Sequence, residues 1–165
     1  MVGKKMFFLK ALLRSEKLRD QVSFDDFLAT YTKEKLAAFA NSDIHNDREG
    51  EKELSGILFK VEWNRDDPFF VREANEKMVE SIGFETREHD VLVKWNENEF
   101  LLILPECSLE SANKIAHLIK SIVVSKTFVN MRATLEYATT LQEDDDTPDS
   151  FTSRLERLLH KEKAA

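Results

Sequence analysis

Arg87 and Asp90 stand three residues apart, and six residues beyond Asp90 the polar stretch Asn96-Glu97-Asn98-Glu99 begins between two apolar runs. A guanidinium is a planar fork of donors suited to a phosphate or to the acceptor edge of guanine, and each good bidentate contact is worth about 1–3 kcal/mol. A neighbouring carboxylate accepts from the ring N–H and amino hydrogens of the same base. Nine arginines and twelve aspartates give about 0.65 such pairs by chance, so the string alone carries little. Arg87 is the only arginine with an Asp three residues later.

The elements that must position these residues follow from periodicity. Val91 to Trp95 and Phe100 to Leu104 flank the polar stretch and predict a β-hairpin, with strands over about 90–95 and 99–104. A tight turn there calls for positive φ, which Asn tolerates. Upstream, Ile57 to Trp63 reads as a strand. Pro68 precedes a helix over 69–82, with Val71, Ala74, Met78 and Ile82 on one face and Gly83 as its cap.

Downstream, Ser108 is placed to cap a helix carrying Leu109, Ala112, Ile115, Ala116, Ile119 and Ile122. A strand over about 129–140 and the acidic loop 143–146 come next. Thr147-Pro148 then opens a last helix over 149–162, predicted to bury Phe151, Leu155, Leu158 and Leu159. The order strand-helix-strand-strand-helix-strand is the ferredoxin-like βαββαβ plan, an α+β class. Residues 4–20 and 24–40 read as amphipathic helices and 41–52 as a loop, so an N-terminal helix or linker over 1–22 precedes a domain over 23–165.

Composition narrows the function. With 42% hydrophobic residues, four glycines and three prolines, the 165-residue chain reads as a folded domain. A net charge of −7 argues against nucleic-acid contact, which depends on neutralising phosphates. It does not oppose a small anion held locally. Cys107, the only cysteine, reads as a small residue at a helix start in a reducing compartment. The longest strongly apolar run is far short of the ~20 residues a bilayer needs, so a cytoplasmic protein without membrane contact is expected. Trp63 and Trp95 are expected to pack, Trp95 with part of its ring exposed, and His45, His117 and His160 to face solvent.

Lys94-Trp95-Asn96-Glu97-Asn98-Glu99-Phe100 resembles the signature hairpin of the GGDEF family, the diguanylate cyclases, usually Arg-Tyr/Trp-Gly-Gly-Asp-Glu-Phe. Weaker likenesses lie at Asp26–Lys33, at Met131–Ala138 and over 151–161. The resemblance implies the family's cyclase fold with an added N-terminal and C-terminal helix. Active members condense two GTP molecules around two Mg²⁺ ions held by an Asp of the first strand and the acidic third signature residue. Those positions match Lys60 and Asn98, and the signature glycines match Asn96 and Glu97. Of the signature carboxylates Glu99 remains, and Lys60 is expected to pair with it across neighbouring strands. An ammonium and an amide do not replace two carboxylates around a hard cation. The resemblance therefore implies an inactive cyclase with no Mg²⁺.

Active members often also carry Arg-x-x-Asp, its Asp six residues before the first signature glycine, an inhibitory site for cyclic di-GMP. Arg87 and Asp90 match it in register. The implied ligand set is Arg87 and Asp90 with Lys94 and Lys114 as supporting cations, Leu118 standing where members often supply another Arg. The expectation is a cyclic di-GMP receptor acting through a protein partner or a homodimer. The alternative is a pseudo-enzyme scaffold that binds no nucleotide.

Overall fold

Ile57, Phe59 and Val61 point to one side of the first strand and Leu58 to the other, and this period of two organises everything around it. The computed structural model describes residues 53–83, 86 and 90–161. The helices expected over 4–20 and 24–40, the loop 41–52 and the division near residue 22 lie outside them. The described elements are β1 (Ser55–Trp63), α1 (Pro68–Gly83), β2 (Val91–Lys94), β3 (Glu99–Leu104), α2 (Leu109–Ser125), β4 (Ala133–Leu141) and α3 (Pro148–Lys161). The strands form one antiparallel sheet in the order β2-β3-β1-β4. This is the expected α+β arrangement with a helix appended at the C-terminal side.

Helices cover both faces of the sheet, so central strands are apolar on both sides and all six residues of β3 are buried. On one face Ile57, Phe59, Val61, Leu92, Phe100 and Leu102 meet α1 and α2 through Met78, Val79, Ile82, Ala116 and Ile119. On the other, Leu58, Val93, Trp95, Leu101 and Ile103 meet Phe151, Leu155 and Leu159 of α3. Gly56 is why α3 can sit so close: a Cβ there would lie 2.7 Å from Phe151 Cζ and 3.2 Å from Leu155 Cδ1.

Local chemistry sets the helix ends. Asp67 Oδ1 accepts from the backbone N–H of Phe69 (3.0 Å) and Phe70 (3.3 Å), and Pro68 fills the first helical position, where no N–H is needed. Ser108 Oγ accepts from Ser111 N–H (3.1 Å), the cap expected for α2. Thr147 Oγ1 accepts from Ser150 N–H (3.1 Å) ahead of Pro148 in α3.

The structure corrects four expectations. The strand expected from 129 begins at Ala133, because 128–131 form a tight two-way turn (Phe128 N–H to Met131 O and the reverse, 2.9 Å each) with Val129 and Asn130 at φ 54° and 60°. Two left-handed residues suit such a turn, and a β-branched valine there is strained. Leu158 is 42% exposed: Leu155 and Leu159, one turn apart, hold the inner face, and Leu158, next to Leu159 in the chain, falls off that stripe. In α2, Val123 is buried and Ile122 only half so, while Leu109 is exposed. Trp95 is fully buried in the α3-side core.

Candidate functional site

The hairpin turn reaches its shape without positive φ: among the described non-glycine residues only Glu106, Val129 and Asn130 have it. The Asn96 side chain does that work. Its Oδ1 accepts from Asn98 N–H (3.2 Å), an Asx-type turn, and its Nδ2 donates to Glu99 Oε1 (2.9 Å). Glu99 O accepts from the N–H groups of Trp95 (2.7 Å) and Asn96 (3.1 Å), and Asn98 O accepts from Val61 N–H (2.8 Å). The turn is thus bonded to itself and to β1.

Lys60 and Glu99 are opposite each other in the β1–β3 register, as expected. The ion pair drawn by Lys60 Nζ, however, runs to Glu62 at 3.0 Å. Residues two apart on a strand share a face, so the pair forms along β1 rather than across it. Glu99 is buried, and its second oxygen lies 2.8 Å from His160 Nε2 of α3. His160 is exposed, as expected, yet its ring also ties the C-terminal helix to the signature turn, a contact across 61 residues that periodicity cannot announce. Among the described residues no group of three or more His, Cys, Asp or Glu side chains is placed to hold a metal ion.

Around the turn an open cleft of about 650 Å³ is walled by the end of β1 (Val61, Glu62, Trp63), the following loop (Arg65, Asp66) and α1 (Pro68, Val71, Arg72, Asn75). Lys94, Glu97 and Asn98 of the hairpin complete it. Sequence reading picked out Lys94, Glu97 and Asn98 but not Arg72 or Asn75. Asn75 is 3% exposed, and its Oδ1 accepts from Trp63 Nε1 at 2.9 Å. An asparagine on the apolar stripe of a predicted helix was the available signal.

The proposed ligand residues are not gathered in one place. Asp90 directly precedes β2 and is 2% exposed, with its own contacts inside the fold. Arg87 lies outside the described residues. Lys94 ends β2 at one edge of the sheet and lines the cleft. Lys114 sits on α2, pairs with Glu110 at 3.6 Å and lines a separate surface depression with His117, Leu118 and Tyr137 of β4, the opposite edge. Three strand spacings, roughly 14 Å, separate the two edges, so Lys94 and Lys114 do not serve one small site together.

Away from the turn, Arg154 of α3 grips Asp146 with two nitrogens (3.0 and 2.6 Å) and also donates to Thr140 Oγ1 (2.9 Å) and Leu141 O (2.9 Å). Burial pushes the Asp146 carboxyl up. Hydrogen bonds from Arg154, Glu143 N–H and Ser150 outweigh it and hold the group at about 2.

The family model for the diguanylate cyclase GGDEF domain matches residues 71–165. No curated protein sequence matches the chain. Among solved structures, the active GGEEF domain of a Vibrio cholerae diguanylate cyclase superposes with a TM-score of 0.62 at 18% identity, over 84% of this chain and 88% of that one. The GGDEF domain of DgcB from Caulobacter crescentus, solved in complex with c-di-GMP, gives 0.58 at 14% identity over 83% and 82%. The diguanylate cyclase SiaD of Pseudomonas aeruginosa, solved with its activator SiaC, gives 0.57 at 16% identity. There the match covers 97% of this chain but spans 61% of SiaD. These likenesses establish a shared fold.

Proposed function

The chain belongs to the GGDEF domain family, and from that premise we propose that it is a member that does not join nucleotides and acts instead as a regulatory module responsive to cyclic di-GMP. The observation that carries the first half is the Lys60–Glu62 pair at 3.0 Å. On the strand where the resemblance puts a metal-binding aspartate stands an ammonium group, paired with Glu62. Asn98 stands at the acidic signature position, and Glu99 is engaged with Asn96 and His160. Mg²⁺ is held by one or two carboxylates together with substrate phosphates and water, and an ammonium and an amide at these positions do not replace those carboxylates.

The second half rests on Arg87 and Asp90 in register with the turn. The carboxylate of Asp90 must turn outward to accept from a base. Its burial favours a second reading, in which Asp90 is an internal support and the domain works as a scaffold through protein contacts. Incubation with GTP and Mg²⁺ is expected to yield no cyclic dinucleotide; product formation would end the non-synthesising assignment. Calorimetric titration with cyclic di-GMP is expected to show saturable heat that Arg87→Ala abolishes. A flat titration of the unaltered protein would leave the scaffold reading in its place.

A further inference from the structure

We infer that the open edge of β4, with the flank of α2 beside it, docks a second copy of this chain through antiparallel β4 strands, making one continuous sheet. This is separate from the proposed response to cyclic di-GMP and uses neither the hairpin cleft nor Arg87 and Asp90.

The two edges of the sheet are finished differently. β2 spans only Val91–Lys94 and ends on a lysine. β4 runs nine residues, Ala133–Leu141, without lysine, arginine or proline, and pairs with β1 in unbroken register. Short strands, lysines, prolines and bulges are how proteins guard an edge, and β4 uses none of them. Just beyond either end of the β1–β4 ladder, Asn64 N–H donates to Arg132 O and Gln142 N–H to Leu54 O, at 2.8 Å each. Antiparallel pairs alternate, so the even-numbered residues of β4 bond to β1. Ala133, Leu135, Tyr137 and Thr139 turn their N–H and C=O groups to the open side. Among the described residues no partner meets those groups. Leu141, whose carbonyl is taken by Arg154, ends the run.

A second copy fits this edge in register, spacing and charge. Pairing centred on Tyr137 sets Leu135 of one copy opposite Thr139 of the other, outward groups against outward groups. It also sets Glu136, the one charge on β4, opposite Ala138 and not opposite its own counterpart. α2 packs over β4 and β1, so its axis lies about 5 Å from the midline of such a junction. Two-fold symmetry then brings the two α2 helices to about 10 Å, the separation of packed helices. The stripe they present lines the depression of about 590 Å³ beside Tyr137 and includes Glu110, Lys114, His117, Leu118 and Ser121. Leu118 is 44% exposed there. A face that meets itself must not repel itself. In a chain of net charge −7, Glu110 on this stripe is answered by Lys114 at 3.6 Å. The face measures about 30 Å by 20 Å, on the order of 1,200 Å² over both copies, which is the lower end of specific interfaces.

The test is sedimentation of the full chain without nucleotide, and a monomer–dimer equilibrium with Kd on the order of 1–100 μM is expected. Amide exchange of Leu135, Tyr137 and Thr139 is expected to slow as concentration rises, while Glu136 and Ala138, bonded to β1, stay protected throughout. Leu118→Lys is expected to raise Kd at least about tenfold by placing a lysine from each copy at the junction. Thr139→Pro deletes an outward N–H, leaves the β1 ladder whole, and is expected to do the same. If Thr139→Pro unfolds, the exposed Leu118→Lys and the exchange pattern carry the test.

A chain that stays monomeric at about 500 μM, above the expected Kd, overturns the inference and leaves the edge to an extended strand of another protein. A dimer in which Leu135, Tyr137 and Thr139 exchange freely overturns it as well, as does one that both variants leave intact. Dimerisation that requires cyclic di-GMP overturns it while supporting the proposed function, so the two readings fail separately.

Discussion

Two polar regions of this domain are built on opposite terms. At the β4–α3 corner, Arg154 makes four hydrogen bonds and Asp146 is held by Arg154, Ser150 and a backbone N–H. At the cleft below the hairpin turn, among the described residues, the Asn75 amide N–H groups meet no acceptor and Arg65, Arg72 and Lys94 form no ion pair. Both regions lie at the rim of the same sheet. Saturated polar groups specify where α3 docks, and unsaturated ones leave interaction energy available to something from outside.

Removing a cation from each region separates these roles. Arg154→Ala strands a buried carboxylate and should cost about 2–3 kcal/mol in chemical denaturation. The pH dependence carries a sign. Asp146 is ionised more readily folded than unfolded, so its contribution of up to about 2 kcal/mol is present above pH 4 and is lost as pH falls through about 2. Arg154→Ala should flatten that acid limb, and an unchanged limb would show that the corner does not hold the helix.

His160→Ala removes the link between α3 and Glu99 and should cost about 1–2 kcal/mol, since Asn96 still serves one carboxylate oxygen. Faster amide exchange at Trp95 and Asn96 would accompany it. Lys94→Gln should change stability by less than about 0.5 kcal/mol. A large loss there would mean that the cleft cations are structural after all, and the contrast would fail.

The hairpin was legible because two apolar runs bracket a short polar one, and β2 and β3 fall within a residue or two of the expected spans. Ser108 and Thr147-Pro148 announced their helices because a cap acts within three residues. What escaped was long-range or depended on side-chain direction. His160 finds Glu99 across 61 residues, and Lys60 turns along its strand rather than across to its neighbour. The cleft was half visible: its hairpin residues come from the signature, whereas Arg72 and Asn75 are brought there by the phase of α1. Lys94 and Lys114 looked like one basic set in the sequence and stand at opposite sheet edges because two strands lie between β2 and β4.

The bare Cα at residue 56 has a reach beyond its own contact. With Phe151 against it, the helix is pinned near its first turn and can neither ride up nor slide without forcing a ring into backbone. Nine residues on, at 1.5 Å each, this anchor sets where the imidazole of His160 arrives about 13 Å away. A missing methyl group at the start of one strand thereby gauges the grip on a carboxylate at the other end of the neighbouring strand.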